Sequence, residues 1–266
     1  MKVFLRIMMV VLWIAISAGV VVMMGFANKS HEVKQCKGIS CKIVYNGVQP
    51  LITEREITNE IESRFGKSQS KAIGAVDLSG IITFLKTKPY LKNTSALVSI
   101  EGYIVIKAEQ CEPILRFFST DGQQHFLDRN GRILPVNKNH PYMALVATGE
   151  IADVLKDGEN IFSIPDTSKI LKEKIKTLYS LHYLTKLILA DTVLNALVQQ
   201  VDIDKDGRIQ MATRISTHIV MLGDTTNLAE KLDNLKYFYK FGLMKIGWDR
   251  YRKINLEFKN QVVCTK

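Results

Sequence analysis

The sequence predicts an α+β protein: one N-terminal transmembrane helix, a small β-α-α-β-β unit, and a larger mixed β-rich domain that also carries helices. Three observations predict it. Ile7–Ala27 (IMMVVLWIAISAGVVVMMGFA) runs for 21 residues without a charge. Residues 41–110 switch between strand-like and helix-like apolar spacing. After Cys111-Glu112-Pro113, short apolar runs are punctuated by Asp121-Gly122 and Asn130-Gly131, which are hairpin turn signals.

Length and composition bound the possibilities. At 266 residues the chain has room for one or two domains of about 100–200 residues plus an appendage. Hydrophobic residues make up 47% and charged residues 23%, so wholesale disorder is excluded. Six Pro and 16 Gly are too few for a collagen-like chain, and four Cys are too sparse for a disulfide scaffold. The net charge of +10 fits nucleic acid, an anionic membrane surface or a solvated exterior.

The N-terminal segment narrows that choice. At about 1.5 Å per residue, Ile7–Ala27 spans about 30 Å, the thickness of a bilayer's hydrocarbon core. A cleaved signal peptide with Gly25-x-Ala27 as its cleavage site is the rival reading. Signal-peptide apolar regions run about 7–15 residues, so the length favours an uncleaved anchor. Lys2 and Arg6 precede the span and Lys29, Lys34 and Lys37 follow it, so the charge count does not favour an inside N-terminus. The chain reads as 1–6 tail, 7–27 membrane helix and 28–40 polar linker, with about 240 residues on one side of a membrane. Nucleic-acid binding is thereby disfavoured.

The elements of residues 41–110 follow from local chemistry. Cys41–Tyr45 is a β-like run closed by Asn46-Gly47. Thr53 with Glu56 three residues on forms a capping box, with Ile52 and Ile57 at the staple positions. Ile57, Ile61 and Phe65 recur every four residues and Gly66 suits the helix end. Asp77 caps a second helix with Leu78, Ile81, Ile82 and Leu85 on one face, stopped by Lys88-Pro89. Ala96–Ile100 and Tyr103–Ala108 form a hairpin about Glu101-Gly102.

Residues 111–266 read as the second domain. Ile114–Ser119, His125–Asp128 and Arg132–Val136 are short strands. A helix beginning at Thr167 or Ser168 carries Leu171, Ile175, Leu178, His182 and Leu189 near one stripe. Asp191 caps a successor over Thr192–Gln200. Strands follow at Gln200–Ile203, Arg208–Ile215 and Thr217–Leu222. A helix over Asn227–Lys240 presents Leu228, Leu232, Leu235 and Tyr239. Lys253–Val263 alternates apolar and polar residues and reads as one half-buried strand.

No catalytic constellation emerges. Asp202-x-Asp204-x-Asp206-Gly207 copies the start of a calcium loop, but position twelve is Thr213 and the flanks alternate as strands, which favours a Lys-Asp-Gly-Arg hairpin turn. Cys36, Cys41, Cys111 and Cys264 lack zinc spacing, and their pairing is left open. The five His are scattered, and there is no phosphate-binding or G-x-S-x-G motif. No enzyme, metal, cofactor or small-molecule substrate is expected. The Lys169–Lys176 charge run is the wet face of a helix. Trp248, Arg250, Tyr251, Arg252 and Lys253 gather residue types that favour interfaces just before the last strand.

The arrangement resembles the bacterial division proteins of the FtsQ/DivIB family. The β-α-α-β-β unit is similar to their POTRA domain. Cys111-Glu112-Pro113-Ile114 resembles the junction to the β domain, Leu127–Pro135 (LDRNGRILP) the stretch after it, and Ile254–Val263 (INLEFKNQVV) the final strand. The resemblance implies an uncleaved anchor in the inner (cytoplasmic) membrane, N-terminus inside, with a POTRA domain over 41–110 and a β domain over 111–266 outside, at the division septum. It implies a scaffold that binds FtsB-like and FtsL-like single-pass proteins and other division components, by adding a partner strand to its C-terminal strand. Partner contacts then fall to Tyr251, Ile254, Leu256, Glu257, Phe258, Lys259, Asn260 and Val262. Glu257 stands where many relatives carry Arg, and a Trp beyond the strand is absent. A POTRA-bearing secretion module would continue into a membrane β-barrel, for which about 150 helix-interrupted residues do not suffice. A membrane-anchored extracytoplasmic enzyme is the rival from another class.

Overall fold

The computed structural model describes residues 8, 12–20, 23, 34–69, 71–152, 155–163, 169–259 and 261–266. Met8, residues 12–20 and Met23 are helical, and the apolar side chains among them, from Met8 to Met23, are exposed. The rest of the expected span lies outside the described residues. Among the described residues no helix is long and apolar enough to cross a membrane.

The chain divides into two compact units. The first comprises residues up to Val44, Ile52–Lys86 and Asn93–Glu109. Its order is β1 (Gly38–Val44), α1 (Glu54–Phe65), α2 (Leu78–Lys86), β2 (Leu91–Val98) and β3 (Tyr103–Gln110), with the sheet ordered β1-β3-β2 and β1 parallel to β3. The α1 N-terminus is built as its sequence specifies. Thr53 accepts from the Glu56 amide, and the Glu56 carboxylate accepts from the Thr53 amide at 2.7 Å. Two of the helix's orphan donors are thereby satisfied. Asp77 accepts from the Gly80 amide at the start of α2. Ile57, Ile61, Ile81 and Leu85 are buried with Ile43, Ile104 and Ile106 of the strands. Phe65 and Phe84 meet edge to face, 6.1 Å apart, across the two helices. β2 begins five residues earlier than its apolar run, with Asn93 in the left-handed region and bonded to Glu109 across the sheet.

The second unit comprises Tyr45–Leu51, Thr87–Lys92 and Gln110–Lys266. Its two short early segments are stitched to the rest by hydrogen bonds. The Leu51 amide donates to Gln110, Asn137 donates to the Leu51 carbonyl, and Arg132 donates to the Leu91 carbonyl. Leu51, Cys111, Phe126 and Leu134 form a small buried cluster there.

The body of this unit is a nine-stranded mixed sheet. Its strands are β4 (Pro113–Phe118), β5 (Gln124–Asp128), β6 (Ile133–Pro135), β7 (Leu145–Gly149), β8 (Val198–Ile203), β9 (Ile209–Thr213), β10 (Ile219–Gly223), β11 (Lys253–Asn255) and β12 (Val263–Thr265), in the order β12-β11-β10-β9-β8-β7-β4-β5-β6. Gly122 and Gly131 adopt positive φ at the two expected turns. The Asp202–Gly207 run is the β8–β9 turn. Asp204 accepts from the amides of Asp206 and Arg208, while Asp202 is bonded to Thr148.

Three expectations are corrected in this unit. β7 was not anticipated, yet it is central and parallel to both neighbours. The helix expected over Asn227–Lys240 is α5 (Leu228–Tyr237), which continues through a π-helical stretch, Phe238–Leu243, to Ile246, so Gly242 does not end it. The single strand expected over Lys253–Val263 is two three-residue strands folded back on each other. The other helices are α3 (Lys169–Ala190) and α4 (Thr192–Leu197). Asp191 caps α4 by accepting from the Val193 and Leu194 amides. Ile175, Leu178, Leu181, Leu184 and Ile188 of α3 and Leu232 and Leu235 of α5 share one core with Phe117, Ala147, Val201, Val220 and Ile254 of the sheet.

Candidate partner-binding edge

The C-terminal strands are held from one side by β10. β11 pairs with it in parallel, Val220 opposite Ile254, and the Leu256 amide extends the pairing to the Met221 carbonyl at 2.9 Å. On its other side β11 is covered by β12, antiparallel, with Ile254 opposite Cys264. The strand read from sequence as the sheet edge is therefore internal, and the edge is β12.

The break between them has a local cause. The Asn255 side chain accepts from the Glu257 amide at 2.8 Å and donates to the Glu257 carboxylate at 3.0 Å, which bends the chain out of extended pairing. Glu257 then lies over Gly223, where an added Cβ would meet its side chain at 2.5 Å. Beside it, the buried Lys231 ammonium donates to the Leu222 carbonyl at 2.8 Å and to Asp224 at 3.0 Å, which fixes the end of β10. Nothing in the sequence distinguished Lys231 from the other lysines of an amphipathic helix.

The expected contact residues separate into two sets. Ile254 and Leu256 are fully buried in the core, so their side chains are not offered to a partner. Phe258 is 48% exposed, Lys259 is exposed, and Glu257 and Val262 are half-buried. Tyr251 is half-buried against Phe238, 6.4 Å away. Asn260 lies outside the described residues. Residues that sequence reasoning missed sit in β12 itself: Val263 and Thr265 are exposed and Cys264 is half-buried. Next to them, an open hollow of about 440 Å³ is lined by Tyr237, Phe238, Phe241, Gln261 and Val262.

The backbone of β12 is what remains unspent. Successive residues of a strand direct their N–H and C=O groups to opposite neighbours. The Thr265 carbonyl accepts from the Arg252 amide at 2.8 Å, on the β11 side. Cys264 therefore turns its N–H and C=O to the open side. An edge of this kind accepts another strand.

The aromatic-basic cluster before β11 is split as well. Trp248 packs edge to face on Tyr239, 5.6 Å away, while Arg250, Arg252 and Lys253 are exposed. Tyr239 and the buried His218 are hydrogen-bonded beneath it. Burial holds the His218 pKa below its ordinary value, opposed by the Trp248 carbonyl, and burial does the same for His182 under Phe162. Both rings are neutral in the fold, with folded pKa values below the unfolded value of about 6.5. As pH falls below that value the unfolded chain takes up protons that the fold resists, so stability present at neutral pH is lost. Denaturation midpoints should fall between about pH 7.5 and about pH 5.5, and less steeply in His182→Gln/His218→Gln.

The cysteines are free thiols. Burial, with Glu54 nearby, pushes Cys41 up to about 11. Burial and then Asp128 push Cys111 to about 11 against the pull of Arg132. Neither is a thiolate at neutral pH, the form a nucleophile requires. Among the described residues no group of His, Cys, Asp and Glu could hold a metal ion.

Fold and edge together define a class: a two-unit α+β protein whose larger unit is a mixed sheet ending in a short, open C-terminal strand. More than half of the chain, residues 112–265, matches the family description "FtsQ/DivIB, C-terminal related". The chain belongs to the FtsQ/DivIB family, whose proteins are scaffolds of cell division, and a division role follows for it. No curated protein matches it.

Proposed function

We propose that this protein is a membrane-anchored extracytoplasmic scaffold of the division complex that binds FtsB-like and FtsL-like partners by accepting a strand at β12. The observation that carries the proposal is the open side of β12, where the Cys264 N–H and C=O face away from β11. Phe258, Lys259 and Val262 supply side-chain contacts beside the added strand, and Tyr251, packed on Phe238, flanks the start of β11. The charged-residue-free run from Ile7 to Ala27 supports the anchor, with the N-terminus inside and the protein at the septum. The β-α-α-β-β order of the first unit supports a POTRA domain between anchor and sheet.

Cys264→Pro tests this directly. Proline removes the outward N–H and is tolerated on an edge strand, so the fold should survive. Full-length C264P should lose capture of an FtsB-like partner at least tenfold while keeping the wild-type melting temperature, and cells depleted of the wild type should remain filamentous. Undiminished capture by the folded variant would sink the strand-addition model.

A further inference from the structure

A second surface lies on α5 and its continuation. Leu228, Leu232, Leu235, Tyr239 and Leu243 are buried, as one face of an amphipathic helix should be. The opposite face is also apolar. Tyr237 is 66% exposed, Phe241 53% and Met244 67%. Tyr237 and Phe241 stack, 6.0 Å apart and 21° from parallel. Residues four apart are neighbours on a helix surface, and the chain beyond Tyr237 is wound as a π-helix to Leu243. Alongside the stripe runs an open groove of about 750 Å³ whose lining includes Leu197, Trp248, Val193 and Ile215, the last two exposed. A helix with apolar side chains on both faces, beside an open and largely apolar groove, is a surface made to be covered.

The charges around the stripe say by what. Asp233, Tyr237, Lys240, Phe241 and Met244 all line that groove, and Glu230 lies one turn before Asp233. All six are exposed. The acids sit at the N-terminal end and the cations, Lys240 and then the exposed Lys245, at the C-terminal end, with the aromatic pair at and just past the centre. The Lys240 ammonium stands 5.3 Å over the Phe241 ring. Asp233 is bridged to Lys236, whose ammonium also holds Asp191, and still keeps its carboxylate 60% exposed. Such a helix is complementary to itself turned end for end. About a two-fold axis near Tyr237, the acidic end of one copy faces the basic end of the other, and each Phe241–Met244 ridge meets the other copy's groove. Parallel packing would set acid against acid.

We propose that this face is a homodimer interface, occupied by α5 of a second copy in antiparallel orientation. It is distinct from the backbone edge of β12, although Tyr237 and Phe241 also line the hollow beside that edge.

Sedimentation of the full-length protein in detergent tests it. The wild type should pass from monomer to dimer between about 1 µM and about 100 µM. Phe241→Glu should remain monomeric. Asp233→Lys and Lys240→Asp should each raise the dissociation constant at least tenfold, and the two together should restore it. Cys264→Pro should dimerise normally, which separates this interface from the strand edge. A wild type that stays monomeric, or a dimer indifferent to F241E and to both single charge reversals, overturns the proposal. So does an F241E whose only defect is weaker binding to anionic lipid vesicles.

Discussion

Gly149→Ala is expected to unfold the larger unit at physiological temperature. Gly149 ends β7 with φ +98°, in the region that side chains disfavour. A Cβ built there stands 2.0 Å from the Ile203 carbonyl oxygen and 2.8 Å from that residue's amide nitrogen. These are backbone atoms, and they are committed: the Glu150 amide donates to the same Ile203 carbonyl at 2.9 Å. Relief requires β7 and β8 to separate at the middle of the nine-stranded sheet. Strain of this kind, added to loss of central pairing, belongs among the substitutions that cost more than about 4 kcal/mol, a large share of a domain's total stability of about 5–15 kcal/mol. Urea denaturation of the full-length protein should show the transition of the larger unit lost or displaced to low denaturant. A midpoint within error of wild type would mean that β7 does not pair with β8 as described.

The second large effect separates the core from the surface within one short segment. Ile254→Ala should destabilise by about 2–5 kcal/mol, whereas Phe258→Ala should cost less than about 0.5 kcal/mol. Ile254 is fully buried between Val220 and Cys264 in the register of the sheet and belongs to the principal core. Phe258 stands past the Asn255–Glu257 bend, half exposed. If both reach a partner equally, their alanine variants should bind equally weakly while remaining equally stable. If the bend is real, I254A loses binding only in proportion to its unfolding, and F258A loses binding while fully folded. Equilibrium denaturation paired with partner capture on the same preparations distinguishes these outcomes.

What could be read without the structure was local. The Thr53–Glu56 capping box, the Asp77 and Asp191 caps and the Gly122, Gly131 and Gly207 turns each depend on residues two to four apart, and each stands where the sequence puts it. The β-α-α-β-β order follows from the same short-range signals. β7 gave no such signal. Leu145-Val146-Ala147-Thr148-Gly149 is short and has no apolar–polar alternation, although only Ala147 among its residues is buried. It becomes a strand only because β4 and β8 lie on either side of it.

The candidate edge shows the same division at one site. From Ile254 to Val263 the sequence determines an alternation of apolar and polar residues, and alternation determines which side chains can face a core. It does not determine how many strands carry the pattern. That was decided by contacts from afar. Met221 accepts from the Leu256 amide, Gly223 leaves room for Glu257 to fold over it, and Thr265 returns to take the Arg252 amide, so that β12 and not β11 becomes the edge. The family, the β-α-α-β-β order of the first unit and the helix caps were thus determined by the sequence alone, because residues near in the chain set them. The open edge at Cys264 and the exposed second face of α5 were decided by the tertiary structure, because whether a backbone group or an apolar side chain is left uncovered depends on what the rest of the chain brings beside it.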